Sequence, residues 1–143
     1  MSELLNAAQR NSLVIGLRAF EKHLRQADAW LQGYEERGIL YRRSLDLTPE
    51  RRAAARSQIA AALQGIAALA DRFDLPVAEE SYAATMAGQM TVDWADLCDL
   101  RSAKLQRYGE VHPGLAVLLD ADVDTLAQQA LALAAIDQDQ AAP

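Results

Sequence analysis

Apolar residues recur at helical spacing along most of the chain. Over the first 34 residues they follow one another at alternating steps of four and three, which places them on one face of a long α-helix. We expect this helix to begin near Ser2 and to weaken towards Gly33 and Gly38. Its apolar face consists of Leu13, Leu17, Phe20, Leu24, Ala27, Leu31 and Tyr34.

A second helix has a clear start signal. Thr48 is suited to the N-cap, and Pro49 follows at the first helical position. The helix should stop before Pro76, because the residue before a proline disfavours helical geometry. The same alternating steps give its apolar face, which consists of Ala55, Ile59, Ala62, Ile66, Leu69 and Phe73.

The connection between these helices, residues 39–47, is too apolar for a solvated loop. We expect its large apolar side chains to cover the end of a helix bundle. They are Ile39, Leu40, Leu45 and Leu47.

Two further helices are predicted in the C-terminal half. One begins near Pro76, has a kink or split near Gly88–Thr91, and continues to about Tyr108. Pro113 opens the last helix, and residues 137–143 should fray.

Composition supports one helical domain. Alanine contributes 29 and leucine 21 of the 143 residues, whereas valine and isoleucine together contribute only 11. Four amphipathic helices with short connections predict an all-α, antiparallel four-helix-bundle-like domain over residues 1–136. Because so small a domain buries a limited core, we also expect a homodimer.

The location of the protein is predicted from what its sequence lacks. The N-terminus has no secretory signal, and the longest uncharged run has 14 residues, whereas a membrane span needs about 20. A single cysteine allows no internal disulfide. We expect a cytoplasmic protein without membrane contact, and the excess of arginine over lysine hints at a GC-rich bacterial genome.

Charge divides the chain into two halves. Residues 1–72 carry 11 basic and 8 acidic side chains, and residues 73–143 carry 3 basic and 12 acidic ones. Six arginines fall in one stretch, which we call the arginine segment: Arg37, Arg42, Arg43, Arg51, Arg52 and Arg56. These arginines either lie near the acidic half, within the chain or across a dimer, or bind phosphates.

Nucleic-acid binding would use the arginine segment together with Tyr41, whose ring could stack on a base. The low isoelectric point, near 4.8, weighs against this interpretation. The candidate binding residues are Tyr41, Arg42, Arg43, Arg51, Arg52 and Arg56.

Acidic side chains repeat in the third predicted helix. Asp93, Asp96 and Asp99 lie three residues apart, so that their carboxylates share one helix face. This face is either simply solvated, or it binds a cation or meets Arg42 and Arg43 of a neighbouring molecule.

The sequence contains no motif typical of a metal or cofactor site. Neither histidine belongs to a Glu-x-x-His pair, and the lone Cys98 is expected to act as a small hydrophobic residue. The glycines are scattered singly, so that no phosphate-binding loop is formed. We therefore predict no metal and no cofactor.

The pair Arg107 and His112, separated by four residues, resembles the Arg-x4–6-His motif of the HEPN helical ribonucleases. The resemblance covers six residues and implies RNA cleavage at a dimer cleft, with His112 moving a proton and Arg107 stabilising phosphorane charge. Arg18 and His23 show the same spacing, and a tyrosine follows Arg107 where the family usually has a polar residue. Alternatively, His112 caps a turn and Arg107 offsets a helix dipole.

These observations favour a protein-interaction or regulatory module that self-associates, with no catalytic chemistry. The alternative is RNA binding through the arginine segment, with cleavage by Arg107 and His112 as its furthest form.

Overall fold

A computed structural model describes residues 4–33 and 35–140 of the chain, with side chains up to residue 138. The described chain is mostly helical, which confirms the all-α prediction. It divides into two compact units, Met1–Ala78 and Glu79–Pro143. The four-helix bundle and the single domain over residues 1–136 stay predictions.

The first unit contains two long helices. They are α1, Ala7–Leu31, and α2, Pro49–Arg72. The predicted start of α1 near Ser2 is too early, because Asn6 forms a capping box in which its side chain accepts a hydrogen bond from the Gln9 N–H at 2.8 Å. The start of α2 is confirmed, since Thr48 Oγ1 accepts a hydrogen bond from the Arg51 N–H at 3.2 Å.

These two helices pack antiparallel. Asp28, near the end of α1, pairs with Arg56, near the start of α2, at 3.1 Å. At the opposite ends, Arg10 donates a hydrogen bond to the carbonyl of Phe73. Phe20, on the predicted apolar face of α1, is 49% exposed. Other residues of the two predicted faces meet between the helices in a small core. Its buried residues are Leu24, Leu31 and Ile59, with Ala27, Leu45, Ala55, Ala62, Leu63 and Ile66 packed around them. Tyr34, the last residue of the predicted face of α1, lies outside the described residues.

The connection between α1 and α2 is a β-hairpin, which was not expected from the sequence. Its strands are β1, Glu36–Arg37, and β2, Arg42–Arg43, with Glu36 opposite Arg43 and Arg37 opposite Arg42. Of the four apolar residues expected to cover the bundle end, Leu45 does pack against the core. Ile39 and Leu40 do not, because they lie at the turn of the hairpin and are exposed.

The second unit is built on two antiparallel helices with short elements beside them. The elements are α3, Tyr82–Cys98; α4, Ser102–Leu105; a 3-10 turn, Gln106–Tyr108; α5, Leu115–Ala134; and α6, Ile136–Gln140. The predicted frayed tail over residues 137–143 thus overlaps a short helix, and its last three residues lie outside the described residues.

The predicted split near Gly88–Thr91 is wrong, since α3 runs through these residues without a break. Thr91 does not cap a new helix: its hydroxyl donates a hydrogen bond back to the Ala87 carbonyl at 2.8 Å. The helix begins at Tyr82, after the predicted start near Pro76, and ends at Cys98, before the predicted end near Tyr108. Asp120 of α5 fixes the start of α4. Its two carboxylate oxygens accept hydrogen bonds from the Ser102 N–H and hydroxyl, both at 2.8 Å.

Candidate interaction site

The turn of the β-hairpin, residues 38–41, forms an ordered tip, which we call the hairpin tip. The Gly38 N–H donates a hydrogen bond to the Tyr41 carbonyl at 2.9 Å. The Tyr41 ring lies against Gly38 so closely that a Cβ atom added there would be 2.6 Å from Cε1 of the ring. Only glycine therefore fits at position 38 without displacing the ring.

Two aliphatic side chains project from the hairpin tip. Ile39 is 101% exposed and Leu40 is 95% exposed, so that neither is covered by any other part of the described chain. Scattered exposed apolar residues are common on protein surfaces. Two adjacent ones at the end of an ordered turn form an apolar projection, which we call the knob and which is suited to insertion into a complementary groove.

Positive charge surrounds this knob. Arg37 and Arg42 are cross-strand partners and place two like charges opposite each other, an arrangement that disfavours the pairing of the strands. Among the described residues neither forms an ion pair. The Arg43 guanidinium lies 5.2 Å above the Trp30 ring, and one of its nitrogens is 4.0 Å from a Glu36 carboxylate oxygen. Arg37 and Arg42 therefore remain available for carboxylates or phosphates of a partner.

The rest of the arginine segment belongs to α2. Arg56 is held by Asp28, and the Arg52 guanidinium lies beside Gly33, whose φ of +90° favours glycine. Arg51 is exposed and, within the described residues, forms no ion pair. The predicted binding residues are thus divided between the β-hairpin and the first turns of α2.

A second candidate surface lies between α3 and α5. It is an open groove with a volume of about 460 Å³, which we call the α3–α5 groove. Asp93 and Asp96 are at its edge, while Asp99 pairs with Arg107 at 3.7 Å. Its apolar lining includes three leucines that are each between 44% and 51% exposed. The lining residues are Met90, Asp93, Asp96, Leu97, Leu100, Leu126, Gln129, Ala130 and Leu133.

In the described part of the chain, Arg107 and His112 share no hydrogen bond, and each contacts a different neighbour. Arg107 lies in the 3-10 turn, where its Nε donates a hydrogen bond to the Lys104 carbonyl at 3.2 Å. His112 is exposed in the loop before α5, and its Nδ1 accepts a hydrogen bond from the Gly114 N–H at 3.0 Å. This bond leaves Nε2 as the ring nitrogen open to solvent.

Within residues 4–33 and 35–138, no group of three or more His, Cys, Asp and Glu side chains is arranged to hold a metal ion. Cys98 is half-buried and reduced. In the same part of the chain, the helices are all too short or too polar to span a bilayer.

Arg37 belongs to the arginine segment predicted from the sequence, whereas Ile39 and Leu40 were not predicted as contact residues. The available signal was Gly38, a turn residue between two short runs rich in arginine. The usual hairpin dipeptides Asn-Gly and Asp-Gly are absent from this stretch, so its apolar residues predict burial and not a turn.

No protein-family model, curated protein or solved structure matches this chain. Function is therefore inferred from the hairpin tip and from the α3–α5 groove, each taken by itself.

Proposed function

We propose that this chain is a protein-interaction module that self-associates, and that the hairpin tip is its main contact element. The observation that carries the proposal is the full exposure of Ile39 and Leu40 at the end of an ordered β-hairpin. An aliphatic pair in this position adds nothing to the core of the first unit. A partner surface that covers the pair would explain its position at the turn.

The energetics favour this role. Moving a fully exposed isoleucine or leucine into an apolar site is worth about 1.5–3 kcal/mol per side chain. Burial of both side chains would therefore contribute about 3–6 kcal/mol to association. The flanking Arg37 and Arg42 add charge that steers a partner with acidic groups and fixes its orientation.

Site-specific photo-crosslinking tests the proposal. A photoreactive amino acid replaces Leu40, and a matched control places it at Gln64, an exposed position in the middle of α2. We expect crosslinks from position 40 to protein, in cells and in the purified sample, and few from position 64. Equal yields at the two positions, or adducts to nucleic acid alone, would refute the proposal.

RNA binding through the arginine segment is the second candidate. The observation in its favour is that Arg37, Arg42 and Arg51 are exposed and, within the described residues, form no ion pair. Binding through several phosphates would give a steep fall of affinity with salt, whereas an apolar protein contact would not. In its catalytic form, with Arg107 and His112, His112→Ala should abolish cleavage of RNA while the fold remains intact. Unchanged cleavage would exclude that pair.

A further inference from the structure

We propose that the hairpin tip of one copy docks in the α3–α5 groove of a second copy. This inference rests on the proposed function and specifies its partner. Two features of the described residues carry it, an apolar match and a charge match between the two surfaces.

The apolar match is between a knob and a groove. Ile39 and Leu40 form the knob, and the groove offers a volume of about 460 Å³ lined by Met90, Leu97, Leu126 and Leu133. Volumes of this size are typical of sites that enclose a small apolar group. Leu126 is 51% exposed and Leu133 is 44% exposed, so both gain burial when the knob enters.

The charge match concerns two pairs of side chains with similar spacing. Arg37 and Arg42 are directly opposite on the two strands of the β-hairpin, which puts their Cβ atoms about 5 Å apart. Asp93 and Asp96 are three residues apart on α3, which gives a Cβ separation of about 5–6 Å. Two guanidiniums can therefore face two carboxylates at the edge of the groove, and contact with the carboxylates relieves the repulsion between the arginines.

The occupant is a second copy rather than an anionic lipid surface or nucleic acid. Either of those would be repelled by the rest of the chain, since residues 73–143 carry 12 acidic and 3 basic side chains. A second copy brings these acidic groups to the arginines, where they attract. Each copy has one tip and one groove, so that the contact joins unlike surfaces of identical molecules.

Charge reversal in full-length protein tests the pairing. The tip variant is Arg37→Glu/Arg42→Glu, and the groove variant is Asp93→Arg/Asp96→Arg. All four side chains are exposed, and the variants should keep the circular dichroism spectrum of the wild type. A control variant, Arg18→Glu/Arg72→Glu, has the same change of charge as the tip variant but on α1 and at the end of α2.

Sedimentation velocity and native mass spectrometry then measure association. We expect the wild type and the control to self-associate, and each charge-reversed variant alone to associate at least 100-fold more weakly. An equimolar mixture of tip and groove variants should form complexes that contain the two variants in equal numbers, because each tip then meets a groove of opposite charge. A chain that combines all four substitutions should self-associate again.

Several results would overturn the pairing. A wild type that stays monomeric at all concentrations excludes the pairing. A groove variant that still self-associates, or a mixture in which the two variants do not associate, excludes it as well. If the crosslinks from position 40 reach a different protein while the wild type is monomeric, the pairing and the self-association both fail, but the role of the hairpin tip as a protein contact stands. If position 40 gives no protein crosslinks, both fail.

Discussion

Two substitutions of glycine by alanine should have opposite effects on the first unit. Gly65 lies within α2, and an added Cβ would have no neighbour within 4 Å. Gly38 lies at the hairpin tip, where the same atom would be 2.6 Å from Cε1 and 2.8 Å from Cδ1 of Tyr41. Each variant adds one methyl group. The difference between their free energies of unfolding therefore reports on the surroundings of that methyl group.

The magnitudes follow from these surroundings. Gly65→Ala should raise the free energy of unfolding by about 0.8–1 kcal/mol, the difference in helix propensity between the two residues. Gly38→Ala should lower it by about 1–3 kcal/mol, the usual cost of overpacking. We expect a value near the lower limit, because the Tyr41 ring is 51% exposed and has room to swing into solvent.

Thermal unfolding followed by far-UV circular dichroism measures both effects. For a unit of this size, 1 kcal/mol corresponds to a shift of about 4–8 °C in Tm. Gly65→Ala should therefore unfold several degrees above the wild type and Gly38→Ala several degrees below it. If Gly38→Ala were as stable as Gly65→Ala, the Tyr41 ring would not lie on Gly38, and the tip would not be ordered in the way described.

Four further substitutions test the core of the first unit, two helix positions and the Asp120 carboxylate. Ile59→Ala should lower the free energy of unfolding by about 2–5 kcal/mol, because it leaves a cavity in the small core of the first unit, and urea denaturation measures this loss. Thr48→Ala should cost about 0.5–2 kcal/mol through the lost N-cap, whereas Thr91→Ala, which removes only a bond back to its own helix, should be neutral or slightly stabilising in the same assay. Asp120→Asn should lower Tm at neutral pH. The hydrogen bonds from the Ser102 N–H and hydroxyl, and then the nearby Arg101 charge, hold the pKa of the Asp120 carboxyl below its ordinary 3.8 against the opposing effect of desolvation. This stabilisation is present above pH 3.8 and is lost as the pH falls through the lowered pKa. The Tm values of the wild type and the variant should therefore converge in acid. A difference in Tm that is the same at all pH values would contradict this role of Asp120.

The helices of the first unit were predictable because their signals are local. The steps of four and three on α2 identify its core face, and Ile59 is indeed buried while Ala55, Ala62 and Ile66 pack around it. The start of α2 was equally clear, since a threonine followed by a proline satisfies the first turn by itself. Such patterns depend on spacing alone and need no knowledge of the tertiary fold.

The site was not predictable, because it depends on strand register and on packing between helices. Hydrophobicity predicts burial for Ile39 and Leu40, but the pairing of Arg37 with Arg42 turns them outwards. The opposition of those two arginines is visible only once the register is known. The groove beside Asp93 likewise requires α5 to be placed against α3, which periodicity does not determine.

The split predicted near Gly88–Thr91 is wrong for a different reason. Glycine and threonine are poor helix formers, but each lowers helix stability by only about 1 kcal/mol or less. The contacts of α3 with α5 override this cost, and the helix continues.

The central claim is that the two aliphatic residues of the hairpin tip serve association and not folding. Sedimentation equilibrium of Ile39→Ser/Leu40→Ser beside the wild type tests it most directly. The matched control is Val117→Ser/Leu118→Ser, an apolar pair of α5 that is also largely exposed. We expect the tip variant to lose at least about 100-fold in its association constant while the control keeps the wild-type value. A tip variant that associates as strongly as the wild type would contradict the claim.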